Sequence, residues 1–435
     1  MSGDRTHCAL TGYRASAFSP VVRSSIHGIF LFSACLAAVS LSASAAEPPA
    51  LTERRALELA LSRPAYRDLE QGHLSTAESV VTEAGLLPNP TLSLEQDRTS
   101  IPGGRSTETS LQISQTFDFS GRRALRREAA GNRLDAARFD QQDRRISTIH
   151  EVRRLFSETF YRDRLRAALA GWVQRIETAT TVVAQLAKSG EVSGYDRRRL
   201  ERESQTAKAR LAGTSADYAR MREALAGLTG ETDGPKPALG GELLPPATPA
   251  LESVQSTLRQ RPDLASRNAQ ADAFDRERSA AERAWIPDVT LGVGQKRIEE
   301  PGRADNGVIV GVSIPIPLFN RGQAHEQRAR AQANTLRAEH ALVLAKSEAE
   351  LRGIWRQATE LRQVAELFRR DSLAGSRDLT RISEAAYRAG EGGILELLDA
   401  YKAQLEAETT LLDLELRARL ARIELDAMSG RNNYE

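Results

Sequence analysis

The chain is poor in the side chains that build metal centres, disulfides and aromatic cores. Only two cysteines occur in 435 residues, Cys8 and Cys35. Both fall inside what reads as an export signal: Arg14 and Arg23, an apolar run from Ile29 to Leu41, then Ala43, Ser44, Ala45 and Ala46. Residues 1–46 are therefore expected to be removed, leaving no thiol to pair or to bind metal. Cys35 carries a second reading, as a lipid-attachment cysteine. Beyond the signal the histidines are His73, His150, His325 and His340, with no His-x-x-x-His pair and no nucleophile–base arrangement. We expect no catalytic residues, no cofactor and no tight metal site. Charge of one sign is also missing: Lys+Arg 60 against Asp+Glu 58 gives a formal +2, which argues against nucleic acid as a partner. No run past the signal approaches the ~20 apolar residues of a membrane-spanning helix, so any membrane insertion has to use strands. Aromatic residues make up 5% and charged residues 27%, a balance suited to long solvated helices rather than to large compact cores.

What is present is organised as a tandem repeat. Arg63-Pro64 returns as Arg261-Pro262, Pro88-Asn89-Pro90-Thr91-Leu92 as Pro287-Asp288-Val289-Thr290-Leu291, and Ser189-Gly190-Glu191 as Ala389-Gly390-Glu391. The spacing divides the chain into a first repeat at 47–230, a Pro- and Gly-rich linker at 231–249, a second repeat at 250–430 and a short tail at 431–435.

Each repeat reads as helix, two strands, long helix and returning helix. The first helices are expected over Leu51–Leu86 and Leu251–Trp285. Alternating patterns follow, forming β-hairpins at 91–119 and 289–316, with Leu92, Leu94, Leu111 and Ile113, then Val308, Val310, Val312 and Ile314, sharing faces. Pro102-Gly103 and Pro301-Gly302 supply the turns. Helical patterning then runs from Arg122 to Lys188 and from Gln323 to Arg388, each roughly 100 Å at 1.5 Å per residue. Leu165, Leu169, Trp172, Ile176, Val183 and Leu186 mark one coiled-coil seam, and Ile394, Leu398, Tyr401, Leu405, Leu412 and Leu416 another. The helix pairs turn at tips near 190 and 390.

Two isolated hairpins cannot cross a bilayer, because their edges leave backbone groups unpaired in hydrocarbon. Four strands per chain around a threefold axis would close a twelve-stranded barrel. The fold class expected is thus mainly α with a small β part, a homotrimer whose transmembrane β-barrel continues as a periplasmic α-barrel.

The tip motifs carry a family resemblance. Lys188-Ser189-Gly190-Glu191-Val192-Ser193-Gly194-Tyr195-Asp196 and Tyr387-Arg388-Ala389-Gly390-Glu391-Gly392-Gly393-Ile394-Leu395-Glu396-Leu397-Leu398-Asp399-Ala400 stand in register with two hairpins. Together they resemble the outer membrane factor (TolC) family over essentially the whole mature sequence. Gln115 to Arg123 (QTFDFSGRR) and Ile314 to Arg321 (IPIPLFNR) look like its cobalt-zinc-cadmium heavy-metal efflux branch. The resemblance implies an outer-membrane exit channel of a tripartite pump with a long periplasmic portion. Its partners would be a periplasmic adaptor and an inner-membrane resistance-nodulation-division pump, with outer-membrane lipids around the barrel. It also implies that the tip around Gly190, Val192, Ser193, Gly390 and Gly393 docks the adaptor, although turn geometry alone explains the glycines. Glu396 and Asp399 lie three apart on one helix face and match what the resemblance gives as an acidic constriction, so they are the gate candidates; the alternative is simple pairing with neighbouring arginines such as Arg388. Phe117, Phe119, Trp285 and Phe319 flank the strands, either as a membrane-interface belt or as junction packing. Two other functions stay open. The same channel could serve drug or type I protein export, or the chain could be a soluble periplasmic coiled-coil scaffold or adaptor.

Overall fold

The computed structural model describes residues 50–430. The export signal, both cysteines and the 431–435 tail lie outside the described residues. The first half contains α1 (Glu53–Ser62), α2 (Pro64–Gly85), β1 (Thr91–Ile101), β2 (Gly104–Phe117), α3 (Arg122–Lys188) and α4 (Gly194–Thr229). The second contains α5 (Leu251–Leu258), α6 (Pro262–Glu282), β3 (Val289–Glu300), β4 (Arg303–Ser313), α7 (Gln323–Phe368), a π-turn (Arg369–Leu373), α8 (Ala374–Ala389) and α9 (Ile394–Met428).

Three expectations need correction, each for a backbone reason. The helices before the strands are broken rather than continuous. Pro64 and Pro262 each open a new helix, because proline lacks the N–H an interior position needs and pushes the preceding residue out of the helical region; Arg63 has ψ 133° and Arg261 has ψ 137°. The second of them also stops at Glu282, short of Trp285. The hairpins are shorter than expected. The first ends at Phe117, where Asp118 folds into a local turn and accepts from the Ser120 and Arg123 amides at 2.9 and 2.7 Å. The second ends at Ser313, before Pro315 and Pro317 remove ladder donors.

The four strands form one antiparallel sheet in the order β1-β2-β3-β4, so the middle pair joins the two repeats. Both turns are two-residue Pro-Gly loops, with Gly103 at φ 97° and Gly302 at φ 82°, conformations that glycine adopts without steric cost. From the sheet, α3 runs 67 residues without a break, roughly 100 Å. Its counterpart in the second half is interrupted by the π-turn, where Arg369 reaches across to the buried carboxylate of Glu415 on α9 at 2.6 and 3.0 Å.

The two seams read from sequence pack against each other. Leu165, Leu169, Trp172, Ile176 and Val183 on α3 share one core with Ile394, Leu398 and Leu405 on α9 and Leu200 on α4. Near the sheet, α6 packs between α3 and α7; near the tip, α9 packs against α3 and α8. A second core near mid-length joins Leu57 of α1, Val152, Phe156 and Phe160 of α3, and Leu225 of α4. The linker at 231–249 packs onto that core. Leu239 and Leu243 are buried there, Leu51 and Leu239 form a parallel bridge, and the Trp355 indole donates to the Pro249 carbonyl at 2.8 Å. Carbonyls of the segment thereby satisfy donors on α4, α7 and α9.

Candidate functional site

The two helical tips are built alike. In the first, the Glu191 amide donates to the Leu186 carbonyl at 3.0 Å across Gly190, whose φ is 82°. In the second, the Glu391 amide donates to Ala386 at 2.9 Å across Gly390, with φ 75°. This is the left-handed helix stop that glycine favours, used twice. Each following helix is then capped from its own sequence. Ser193 accepts from the Asp196 amide at 3.1 Å, and the Glu396 carboxylate accepts from the Gly393 amide at 3.3 Å. Val192 packs against the tip core, while the ring of Tyr195 stands 74% exposed.

The candidate gate residues are thus placed differently from each other. Glu396 is exposed but turned back to cap α9. Asp399, one turn on, is exposed and lines a groove floored by Trp172 and Ile176 of α3, with Arg199 of α4 and Lys402 of α9 on its walls. Neither makes an ion pair with Arg388, whose guanidinium instead meets Glu384 at 3.2 Å on its own helix. Glu384 also accepts from the Tyr401 hydroxyl at 2.8 Å, tying α8 to α9 just above the tip. Burial pushes the Tyr401 phenol up to about 12, helped by the carboxylate it donates to.

At the other end of the helices, strand register brings the apolar strand residues onto one face. Leu92 pairs with Ile113, Ile113 with Val293 and Val293 with Val310; one row further, Leu94 pairs with Leu111 and Gln295 with Val308. All of these apolar side chains are exposed, Val310 at 78%. A contiguous exposed apolar face of this kind marks a surface that meets lipid or another protein. The opposite face is polar and glycine-rich: Ser93, Glu95, Ser110, Gln112, Gly292, Gly294 and Gly311. The Gln112 amide lies over Gly292 and near Gly311, where a β-carbon would collide with it or crowd it. Of the flanking aromatics, Phe117 and Phe119 stack obliquely at 6.3 Å, and Phe119, Trp285 and Phe319 are exposed, Phe319 at 90%. β1 and β4 are open edges.

The sequence profile of the outer membrane efflux protein family matches residues 71–231 and 253–431, most of the chain. The chain belongs to that family. As an outer membrane efflux protein it is 25% identical over 390 residues to the cobalt-zinc-cadmium resistance protein CzcC of Cupriavidus metallidurans, covering 88% of this chain and 90% of that one. It is 24% identical over 314 residues to the nickel-cobalt-cadmium resistance protein NccC of Alcaligenes xylosoxydans, 70% of each chain. Among solved structures it is similar to CusC, whose report describes transmembrane channel formation, with a TM-score of 0.69 at 19% identity over 87% of this chain and 92% of that one.

No helix among the described residues of this efflux protein is long and apolar enough to cross a membrane. No group of three or more His, Cys, Asp or Glu among the described residues could hold a metal ion. An enclosed network of charges lies at mid-length. Arg153 donates to Glu53 at 2.7 Å and to Asp426 at 2.9 Å, Arg419 also meets Glu53, and Arg422 meets Asp426 at 2.9 Å. It clamps α1 and α9 onto α3. Sequence reasoning missed this clamp, as it missed the exposure of Tyr195 and the Gln112 shelf. The last had a visible signal, three glycines at alternate positions on one face of adjacent strands.

Proposed function

We propose that three copies of this chain close edge to edge, β4 of one against β1 of the next, into a twelve-stranded barrel in the outer membrane, continued into the periplasm by the long helices. The observation that carries this reading is the exposed apolar sheet face ending in two unpaired edges, which a lone chain cannot place in hydrocarbon. The protein then acts as a conduit and not a catalyst, the exit duct of a tripartite resistance-nodulation-division type efflux system. The resistance proteins it is similar to support divalent heavy-metal cations as cargo.

Within that duct, residues 47–230 and 250–430 act as the two repeats. The tips around Gly190, Val192, Ser193, Gly390 and Gly393 receive the periplasmic adaptor. Glu396 and Asp399 of three chains surround the axis as the gate, where carboxylates attract cations and repel anions. Phe117, Phe119, Trp285 and Phe319 sit at the membrane interface.

A strain lacking this chain, compared with its parent on graded cobalt, zinc and cadmium and on hydrophobic drugs, tests the cargo. Sensitivity to the metals alone supports the reading. Sensitivity confined to drugs overturns the cargo, and release of the protein from membranes by alkali overturns the channel.

A further inference from the structure

The two margins of the apolar sheet face are finished differently. Toward the helices it ends in rings: Phe117 and Phe119, with Trp285 and Phe319 close by in sequence to the strand ends. Toward the hairpin turns it ends in arginines. Register places Arg297 one row beyond the last apolar row, in line with Gln96, Thr109 and Asn306; Arg98 follows in the next row with Thr107 and Glu299, and Arg105 in the row after that, opposite Ser100. Rows on one face are separated by roughly 6.7 Å along the strand, so the three guanidinium groups occupy a zone roughly 7 to 20 Å past the apolar residues.

All three arginines point to the apolar side of the sheet and are exposed. Arg98 donates to the neutral Gln96 amide at 2.9 Å, Arg297 pairs with Glu299 at 2.8 Å, and Arg105 has no partner among the described residues. On this face, beyond the apolar rows, Glu299 is the only acid against three arginines. The polar face at the same level is different: Lys296 is matched by Glu108, and Arg303 by Asp305 at 2.6 Å. Within the sheet, the arginines without an ion pair, Arg98 and Arg105, thus lie on the apolar side at the end away from the helices, and Arg297 shares that side with the one acid, Glu299.

Resting on the channel reading above, we infer that Arg98, Arg105 and Arg297 form a belt that binds the anionic headgroups of phosphorylated glycolipid in the outward leaflet. Charge complementarity selects that occupant. A guanidinium presents a planar fork of donors matched to two phosphate oxygens, and long aliphatic stems let the heads sit at headgroup level while lying on apolar surface. A zwitterionic headgroup offers a single phosphate already balanced by its own cation, whereas a leaflet of phosphorylated glycolipid supplies uncompensated anions at the required height. The ring-lined margin at the helix end lies in the opposite leaflet and needs no such lipid.

The test uses the full chain reconstituted into phosphatidylcholine vesicles with and without a minor fraction of a bisphosphorylated glycolipid, then extracted, with retained glycolipid counted per protein by native mass spectrometry. The parent is expected to retain glycolipid over phosphatidylcholine. The Arg98→Gln/Arg105→Gln/Arg297→Gln variant should lose at least about tenfold of that preference, while Lys296→Gln/Arg303→Gln on the polar face keeps it. The milder Arg→Lys triple, which keeps charge but loses the fork, should fall between and guards against a folding defect. Insertion with no preference in the parent, or equal loss in both glutamine variants, overturns the belt and leaves the channel standing. Failure of the parent to insert into either vesicle overturns the channel and the belt together.

Discussion

Replacing Arg153 by methionine probes whether the mid-length clamp holds the fold. Arg153 is 10% exposed and lies between Glu53 at 17% and Asp426 at 7%. Removing one partner of a buried ion pair costs about 3–5 kcal/mol when the other is left uncompensated. Here Glu53 keeps Arg419 and Asp426 keeps Arg422, so neither carboxylate is orphaned. The cost should therefore fall to about 2–3 kcal/mol, the loss of two charge-assisted hydrogen bonds with partial compensation. At about 2.1 cal/mol/K per residue, a unit of roughly 380 described residues has an unfolding entropy near 0.8 kcal/mol/K, which turns this into a fall in Tm of about 3 °C. The figure is the same whether one chain or a trimer melts as a unit, since cost and entropy scale together. Differential scanning calorimetry of the detergent-solubilised protein at matched scan rates measures it. A shift below about 1 °C, or a rise, refutes the claim that the clamp joins α1 and α9 to α3.

Gly294→Ala should reduce recovery of assembled protein in membranes severely, because the new methyl meets the Leu111 carbonyl and sits 2.8 Å from the Gln112 α-carbon; Gly307→Ala, with open space around it, should insert like the parent. Gly390→Ala places a side chain at φ 75° and should cost about 1–2 kcal/mol at the tip, visible as weaker metal resistance in a complementation assay with unchanged protein level. Asp143→Asn should raise heat stability at neutral pH. Burial, with Asp263 nearby, raises the Asp143 carboxyl above the ordinary range, against the pull of Arg261 and Arg267. A carboxyl raised in the folded state disfavours folding above that folded value and no longer does so below the ordinary one, so the gain from asparagine should vanish as pH falls through the ordinary carboxylate range. Melting curves of both proteins across that range check the sign.

Much of this fold was legible because its punctuation is local. Gly190 and Gly390 stop helices wherever they occur in this pattern, and the alternation from Leu92 to Val312 declares a two-faced sheet before any register is known. The proline breaks are equally local, since Pro64 and Pro262 each force a new helix start, but the helical spacing on both sides of each reads as one continuous segment. The π-turn was beyond reach, because nothing in Arg369–Leu373 distinguishes it from regular helix; its neighbour Glu415 is distant in sequence and meets Arg369 only when α9 returns. The same holds for the packing of the 231–249 linker, whose carbonyls accept from Arg222, Trp355, Arg362 and Arg422, all distant in sequence or on other elements. At the tip, spacing alone set Glu396 and Asp399 on neighbouring turns. It could not show that one carboxylate caps its helix while the other lies beside Lys402 and Arg199.

The claim that three such chains form a membrane channel closed by those carboxylates is tested most directly by planar-bilayer conductance of the purified protein beside Glu396→Gln and Asp399→Asn. The account predicts discrete, cation-favouring steps in the parent and weaker cation preference in the variants, with the larger change at Asp399, whose carboxylate is not engaged in capping. Absence of discrete steps from protein that is folded and trimeric would contradict the channel, and steps of unchanged selectivity in both variants would contradict the gate.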